Sequence, residues 1–427
     1  MSKKLLLMAL AVFLVLPTLA PANGLNLNGL GSRAQGMGGA FVGIANDFSA
    51  VFWNPAGAAG FRKEMFGFYA IDLIPSATYR LTSAIPEVPY VDAKTKTSHY
   101  LGGLAAYYRP ISSRVVVGLG IGTPSGLGTL WDGEDFADLS SGVVYDWSSK
   151  IGVVSISPLV AVKLSDIVSV GATFNLNYGM FSLKMPAGIV LVGIPPDPLD
   201  LGQYEENMNG WGIGATFGVL VTPSEKLGIG LTVRTPSTVS FNGTASMSYM
   251  SIYELPGNSD LKRKITWPLW IAGGVSFRPV PRLLLSADVH WTQWSKLDRI
   301  TTDYLDTVWA ALMEAGGKDV RVLDWSDKAQ IRFGAEFTLN ASTVLRAGYY
   351  YDPAPAPLTT LNILLPSHTF NAFSIGVGKT FSDLQLDFGL EYLAGNKRTA
   401  GFTSDDVMPG TYGMKIVVPT LSVSYKF

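Results

Sequence analysis

The chain has 427 residues, no cysteine and a formal net charge of −1, which excludes thiolate metal sites and disulfides and leaves no basic stripe for nucleic acid. Only 15% of its residues are charged and its mean hydropathy is +0.25, whereas a soluble protein carries about 25% charge. Beyond the N-terminus no apolar run reaches the ~20 residues of a membrane helix, so contact with lipid falls to strands.

In chain order, Lys3 and Lys4 form a basic start, Leu5 to Leu16 an apolar run and Ala20-Pro21-Ala22 a small-residue cleavage site. Residues 1–22 are therefore expected to be a signal peptide, because Pro17 interrupts the run too early for an anchor. Residues 23–62 are glycine-rich and weakly periodic, and they contain Asn54-Pro55-Ala56-Gly57. Taken alone, Asn-Pro is a turn initiator. Gly29 to Ala34 fits the G-x-G-x-x-A spacing of a dinucleotide site, but no strand precedes it, so it carries no such reading.

From residue 63 to 427 the signal is period-two alternation, which puts one set of side chains on each face of a strand. Strands are expected near 65–75, 97–109, 114–123, 151–163, 167–179, 210–221, 226–241, 264–278, 282–294, 327–338, 342–352, 369–381, 383–394 and 412–427. That is about fourteen, an even number suited to a closed antiparallel barrel. Leu421, Val423, Tyr425 and Phe427 alternate with Thr420, Ser422, Ser424 and Lys426 up to the last residue. Tight links alternate with long ones along the chain, as short periplasmic turns and long outer loops do. A β-sandwich would turn the polar faces outward, where their few charges would be poor cover. The fold class read from the sequence is all-β, a transmembrane antiparallel β-barrel.

Several strands carry features on the non-oily face. Gly118, Gly120 and Gly122 share one face of the third strand and Pro124 follows. Glycine weakens pairing and proline removes a donor, so the group marks either a kink or space for a segment inside the barrel. Arg234, Arg332 and Arg346 fall on lumen faces with Asp288, Glu336, Asp387 and Glu391. Two roles stand for them: an internal ion-pair network, or a fork that clamps a ligand carboxylate. In one long loop Leu305, Val308, Trp309, Leu312 and Met313 recur at helical spacing up to Gly316-Gly317. That helix either packs on its own barrel or offers an oily landing surface outside the cell. His99, His290 and His368 make no metal-ligand spacing, and no G-x-S-x-G is present. No cofactor, metal or catalytic residue is expected.

Gly29-Leu30-Gly31, Gly38-Gly39-Ala40, Asn46-Asp47 and Asn54-Pro55-Ala56 resemble the N-terminal segment of the long-chain fatty acid transporter family of Gram-negative outer membranes, the FadL and TodX type. The resemblance continues through Pro124 to Thr129, Pro268-Leu269-Trp270, Trp291 to Ser295 and Gly348 to Asp352. It implies that residues 23–62 are a plug, or hatch, inside a barrel of residues 63–427, with Asn54, Pro55 and Ala56 near the hatch's end. It also implies passive transport: capture of a fatty acid in an outer groove, passage beside the hatch, and lateral exit at a kinked third strand. The terminal Phe427 resembles the recognition signal of the barrel-assembly machinery, and the resemblance implies a monomer whose wall is surrounded by outer-membrane lipid and lipopolysaccharide. Aromatic or alkane hydrocarbons are the alternative cargo; a lipid hydrolase or an adhesin is the rival from another class.

Overall fold

The computed structural model describes residues 24–82, 90–187, 200–401 and 408–427; the export segment 1–22 lies outside the described residues. Fourteen antiparallel strands make the closed wall. β1 (Met65–Leu81), β2 (Tyr100–Pro110), β3 (Val115–Leu130), β4 (Ser148–Lys163), β5 (Val168–Ala187) and β6 (Gly202–Ser224) form one half. β7 and β8 are each made of two pieces, Leu227–Arg234 with Ser237–Met247 and Asn258–Trp267 with Trp270–Val280. β9 (Leu283–Thr292), β10 (Lys328–Asn340), β11 (Thr343–Asp352), β12 (Phe370–Phe381), β13 (Leu384–Gly395) and β14 (Gly410–Lys426) bring the chain back to its start. β14 then pairs with β1 from Met65↔Lys426 to Arg80↔Thr411, so no edge is left open.

Alternation places oil outside. On β6 Trp211, Ile213 and Phe217 are all more than half exposed on the face that lipid covers, while Gly210, Gly212 and Gly218 face in. The strands run further at their outer ends than the periodicity suggests: β1 reaches Leu81, β5 reaches Ala187, and β6 starts at Gly202. Above the bilayer the polarity inverts, which is why the pattern fades there. In the first part of β6 Tyr204, Glu206 and Met208 are buried inside, whereas Asn207 and Asn209 face out to water. The strands expected at 226–241 and 264–278 are each interrupted, at Thr235-Pro236 and Pro268-Leu269, because proline cannot donate to a ladder.

The segment from Gly24 to Arg62 bonds to strands on every side of the ring. Ser32 N–H donates to Ser422 Oγ of β14, Gly38 N–H to Ser374 Oγ of β12, Phe41 and Val42 N–H to Asp288 of β9, and Val51 N–H to Tyr108 of β2. Such contacts are available only from within the lumen. A tight turn at Gly38 (φ 63°) and Gly39 (φ 67°) carries the chain against β10 and β11, in the left-handed region that glycine enters without steric cost. A Cβ on Gly348 would come within 2.0 Å of Gly38 N, a clash with backbone that cannot rotate away. Gly348→Val is therefore expected to leave a heat-modifiable barrel band on gels while unseating this segment, so that trypsin cuts at Arg33; a variant as protease-resistant as the parent would contradict this packing.

Candidate functional site

Inside the barrel Asn54 joins three pieces of structure. Its Oδ1 accepts from Ala56 N–H at 3.1 Å and so caps the short helix Pro55–Gly60, as short polar side chains do at helix starts. Its Nδ2 donates to Val42 O and to Val219 O, each at 3.0 Å. Asn54 is fully buried, and with Pro55 setting the first helical position it ties the end of the segment both to its own middle and to β6. Ala56 contributes its backbone N–H and a side chain too small to push the wall away.

The lumen charges fall into two groups. Arg33 donates to both oxygens of Glu336 (2.7 and 2.9 Å) and to Asn46 Oδ1 (2.6 Å). Arg346 donates to Glu336 at 2.8 Å and to Asp387 at 2.6 Å. Arg332 gives 3.0 Å to Gly38 O and two bonds to Gln330 Oε1, and its guanidinium lies 4.3 Å from the Tyr350 ring centre. Two of the three lumen arginines singled out in the sequence are thus committed to bracing. Arg234 is different. It donates to Phe52 O at 3.0 Å and stands between the Phe52 and Trp270 rings at 4.7 and 4.8 Å, and among the described residues no carboxylate pairs with it.

The wall breaks beside β3. Gly118, Gly120 and Gly122 keep full ladders with β2 (Tyr108, Ala106, Leu104) and with β4 (Leu159, Ser157, Ser155), so they are not themselves the kink. Gly120 leaves room for Val51, and Gly122 for Leu104 and Leu30. The register shifts one step later, between Gly122 and Ser125, where Thr123 and Pro124 stand against Val154 alone; this is a bulge. From there β3 bends inward: Leu27 N–H donates to Pro124 O at 3.1 Å, Asn26 bridges Ser125, and Trp267 Nε1–H reaches Ser125 Oγ at 2.9 Å from the far wall. β2 and β3 stay apart between the Thr123 Oγ1–Gly103 contact (2.9 Å) and the Lys96 N–Leu130 O bond (2.8 Å). The result is a backbone window framed by residues 97–103 and 124–129, across which the Tyr100 ring packs against Gly128.

Two cavities meet at Asn26. The first, of about 820 Å³ including its open mouth, has Arg234, Asn175, Asn177 and Ser237 on one side and Leu30, Val51 and Val153 on the other. The second, of about 860 Å³, is lined mainly by aliphatic and aromatic groups, and its lining residues Tyr100, Gly126, Leu127 and Gly128 also frame the window. Its polar groups include Gln35, Asp352, His368 and Glu391, but neither lysine nor arginine. Burial pushes the His368 imidazole down to about 4, so it is neutral at physiological pH.

The loop helix runs Thr307–Ala315, capped by Asp306, whose Oδ1 accepts from Val308 and Trp309 N–H. Trp309 and Met313 are buried, Trp309 donating its ring N–H to Pro256 O at 2.7 Å, and Leu312 packs beside them. They cannot serve as an outer surface in this arrangement. Leu305 and Val308 face out, with Ile252 and Tyr253 among the other exposed apolar residues of the outer loops.

The family model described as "Outer membrane protein transport protein (OMPP1/FadL/TodX)" matches residues 13–427. The chain belongs to that family. It is similar to Outer membrane protein P1 of Haemophilus influenzae (22% identical, covering 85% of this chain and 84% of that one) and to the long-chain fatty acid transport protein of Escherichia coli K12 (24%, 91% of each). Among solved structures, it resembles a Pseudomonas aeruginosa FadL homologue with a TM-score of 0.78 at 17% identity, covering 95% of this chain and 100% of that one. The Pseudomonas putida toluene transporter TodX gives 0.73 at 17%, covering 94% and 99%. These structures share the barrel fold, and the family assignment places the chain in the outer membrane.

Within this FadL/TodX-type barrel, Arg33 is the functional residue the sequence reading passed over. It is the only charged residue from Gly24 to Asn46, and a lone cation in an apolar, buried stretch signals a carboxylate partner. Thr123 and Ser125 were passed over too, since their roles depend on neighbouring strands. Replacing Glu336 by Gln strips Arg33 of its bidentate partner and leaves Arg346 with Asp387 alone. The expected cost is about 3 kcal/mol, as for other broken buried pairs, read as a lower thermal midpoint and faster proteolysis of residues 24–62. An unchanged midpoint would mean the pair contributes nothing.

Proposed function

We propose that this FadL/TodX-family protein carries hydrophobic compounds, long-chain fatty acids foremost, passively across the outer membrane and releases them sideways through the β2–β3 window. The observation that carries this reading is the break in the wall at Thr123-Pro124. In hydrocarbon, unpaired backbone costs several kcal/mol, and here β3 recovers its partners from Leu25 to Leu27 of the hatch instead of from β2. A solute in the second cavity already touches the window frame. An open aqueous pore would not serve an apolar solute, whose destination is the bilayer.

The carboxylate of a fatty acid has one cation open to it in the first cavity, Arg234, set among aromatic rings that dry its surroundings. Arg332 and Arg346 are occupied. A second reading, transport of neutral aromatic or alkane hydrocarbons, is favoured by the second cavity, whose lining has the carboxylates Asp352 and Glu391 but neither lysine nor arginine to pair with an anion. The hydrolase and adhesin readings gain no support from these features.

Two measurements test the proposal. Deleting Pro124 removes one residue of the bulge and lets β3 pair regularly, so uptake of labelled palmitate by cells is expected to fall roughly tenfold while the heat-modifiable barrel persists; uptake at the parent rate would move the exit elsewhere. Arg234→Gln is expected to weaken palmitate binding roughly 10- to 100-fold, the scale of a charge-assisted hydrogen bond, and to spare its methyl ester. Equal loss of acid and ester would remove the clamp.

A further inference from the structure

The wall is also interrupted where two prolines face each other across β7 and β8; elsewhere rungs are missing beside a lone proline, at Pro158 of β4 and Pro419 of β14. β7 and β8 are joined by a rung at Arg234↔Trp270 and again at Ser237↔Trp267, in one continuous register. Between these rungs Thr235 and Pro236 stand opposite Leu269 and Pro268 with no rung of their own. Neither proline has an N–H to give. Some of the backbone groups turn to the strands behind them: Thr235 N–H donates to Ala215 O and Gln293 N–H to Leu269 O, and the Thr235 side chain accepts from Ala215 N–H, each at 2.9 Å. Each side of the seam is thus tied to its own flank.

The parallel with β3 is close. Thr123-Pro124-Ser125 and Thr235-Pro236-Ser237 both begin eight residues after the first residue of their strands, Val115 and Leu227. In each, threonine Oγ1 accepts a backbone N–H of the preceding strand at 2.9 Å, and in each the serine lines the first cavity. The same tripeptide at Thr222 to Ser224 makes a bulge beside the turn that joins β6 to β7, whereas Thr123 and Thr235 stand further from the strand ends, in paired wall. Thr235 and Pro268 line the first cavity while Pro236 is exposed on the outer side. The cavity and the outside are therefore separated here by a single unpaired layer of chain.

We propose that this seam is a second lateral portal, leading from the first cavity to the bilayer, for neutral hydrophobic solutes one aromatic ring or one alkyl chain wide. Its rungs are three residues apart, roughly 10 Å along the strand, against the longer span of the β2–β3 window, so bulk limits what passes. Trp267 and Trp270 flank it with apolar rings. Arg234 sits at its inner edge and retains a carboxylate, which leaves the seam to uncharged solutes and the window to acids. This inference rests on the reading of the protein as a transporter of hydrophobic compounds.

The absence of native cysteine makes the test direct. Thr235→Cys with Leu269→Cys places two thiols at directly opposed positions, and their disulfide closes the seam reversibly; Pro236→Thr with Pro268→Thr restores two donors and closes it without a crosslink. Cells carrying each variant, checked for a heat-modifiable barrel, are assayed with labelled toluene and labelled palmitate. Closing the seam is expected to lower toluene uptake roughly tenfold relative to palmitate uptake in the same cells, and to be reversed by dithiothreitol in the cysteine pair. Toluene uptake unchanged with the disulfide formed, or a parent protein that carries palmitate but no toluene, overturns the portal. A parent that carries neither solute overturns the transport reading itself.

Discussion

Every backbone N–H and C=O in the wall of a membrane barrel has to find a partner inside the protein, because the surrounding hydrocarbon supplies none. Most of this structure follows from that constraint. The ring closes β1 on β14 without an edge, and where the ladder is interrupted beside the cavities some of the freed groups are supplied from elsewhere. At β3 the freed carbonyl of Pro124 is met by Leu27 N–H and the side chain of Ser125 by Leu25 O. At the β7–β8 seam Ala215 O takes the N–H of Thr235, and Gln293 N–H meets Leu269 O. At each of these places a proline removes a donor that would otherwise be stranded.

The segment Gly24 to Arg62 is built to the same rule in a polar lumen. Its own backbone forms only short helices, so its remaining donors reach to side chains projecting from the wall: Asp288 takes two, Ser374 and Ser422 one each. Its single early cation is met by Glu336, which Arg346 and, beyond it, Asp387 hold in place. Replacing these groups by hydrophobic ones would ease desolvation, but it would also remove the geometric specificity that holds an irregular segment in one position. A segment so pinned leaves cavities on either side of Asn26 with defined and different linings, one with an available guanidinium and one without any cation.

Much of this was legible in the sequence, and the reasons for the remainder are specific. Lipid-facing alternation in Leu421 to Phe427, or in Trp211 to Val219, stands out because the bilayer makes the strongest demand there. The outer extensions of β1, β5 and β6 did not show, since above the bilayer Tyr204 and Met208 turn inward and polar residues outward. Gly118, Gly120 and Gly122 drew attention as a kink, yet they keep both ladders and make room for Val51 and Leu30. The break belongs to Thr123-Pro124, whose effect appears only when the register with β4 is known. Pro236 and Pro268 were likewise visible as residues, but that they face each other follows from pairing between strands. Arg332 and Arg346 could not be told from Arg234 by position alone, because a partner contributed by the hatch or by a neighbouring strand decides which guanidinium is occupied. The loop helix at Thr307–Ala315 was recognisable by its spacing, whereas the burial of Trp309 depends on Tyr204, Tyr304 and Pro256 from other strands and loops.

The central claim is that hydrophobic solutes leave through the side of the barrel. The most direct measurement is photocrosslinking in outer-membrane vesicles, using a long-chain fatty acid with a diazirine at the end of its tail and mapping the adducts by mass spectrometry. Lateral exit predicts adducts on residues 97–103 and 124–129 that frame the window, together with the lining of the second cavity at Leu127 and Tyr100. Adducts confined to the periplasmic end of the hatch, at Ala59 to Lys63, would show the solute passing straight through the barrel and would contradict the account.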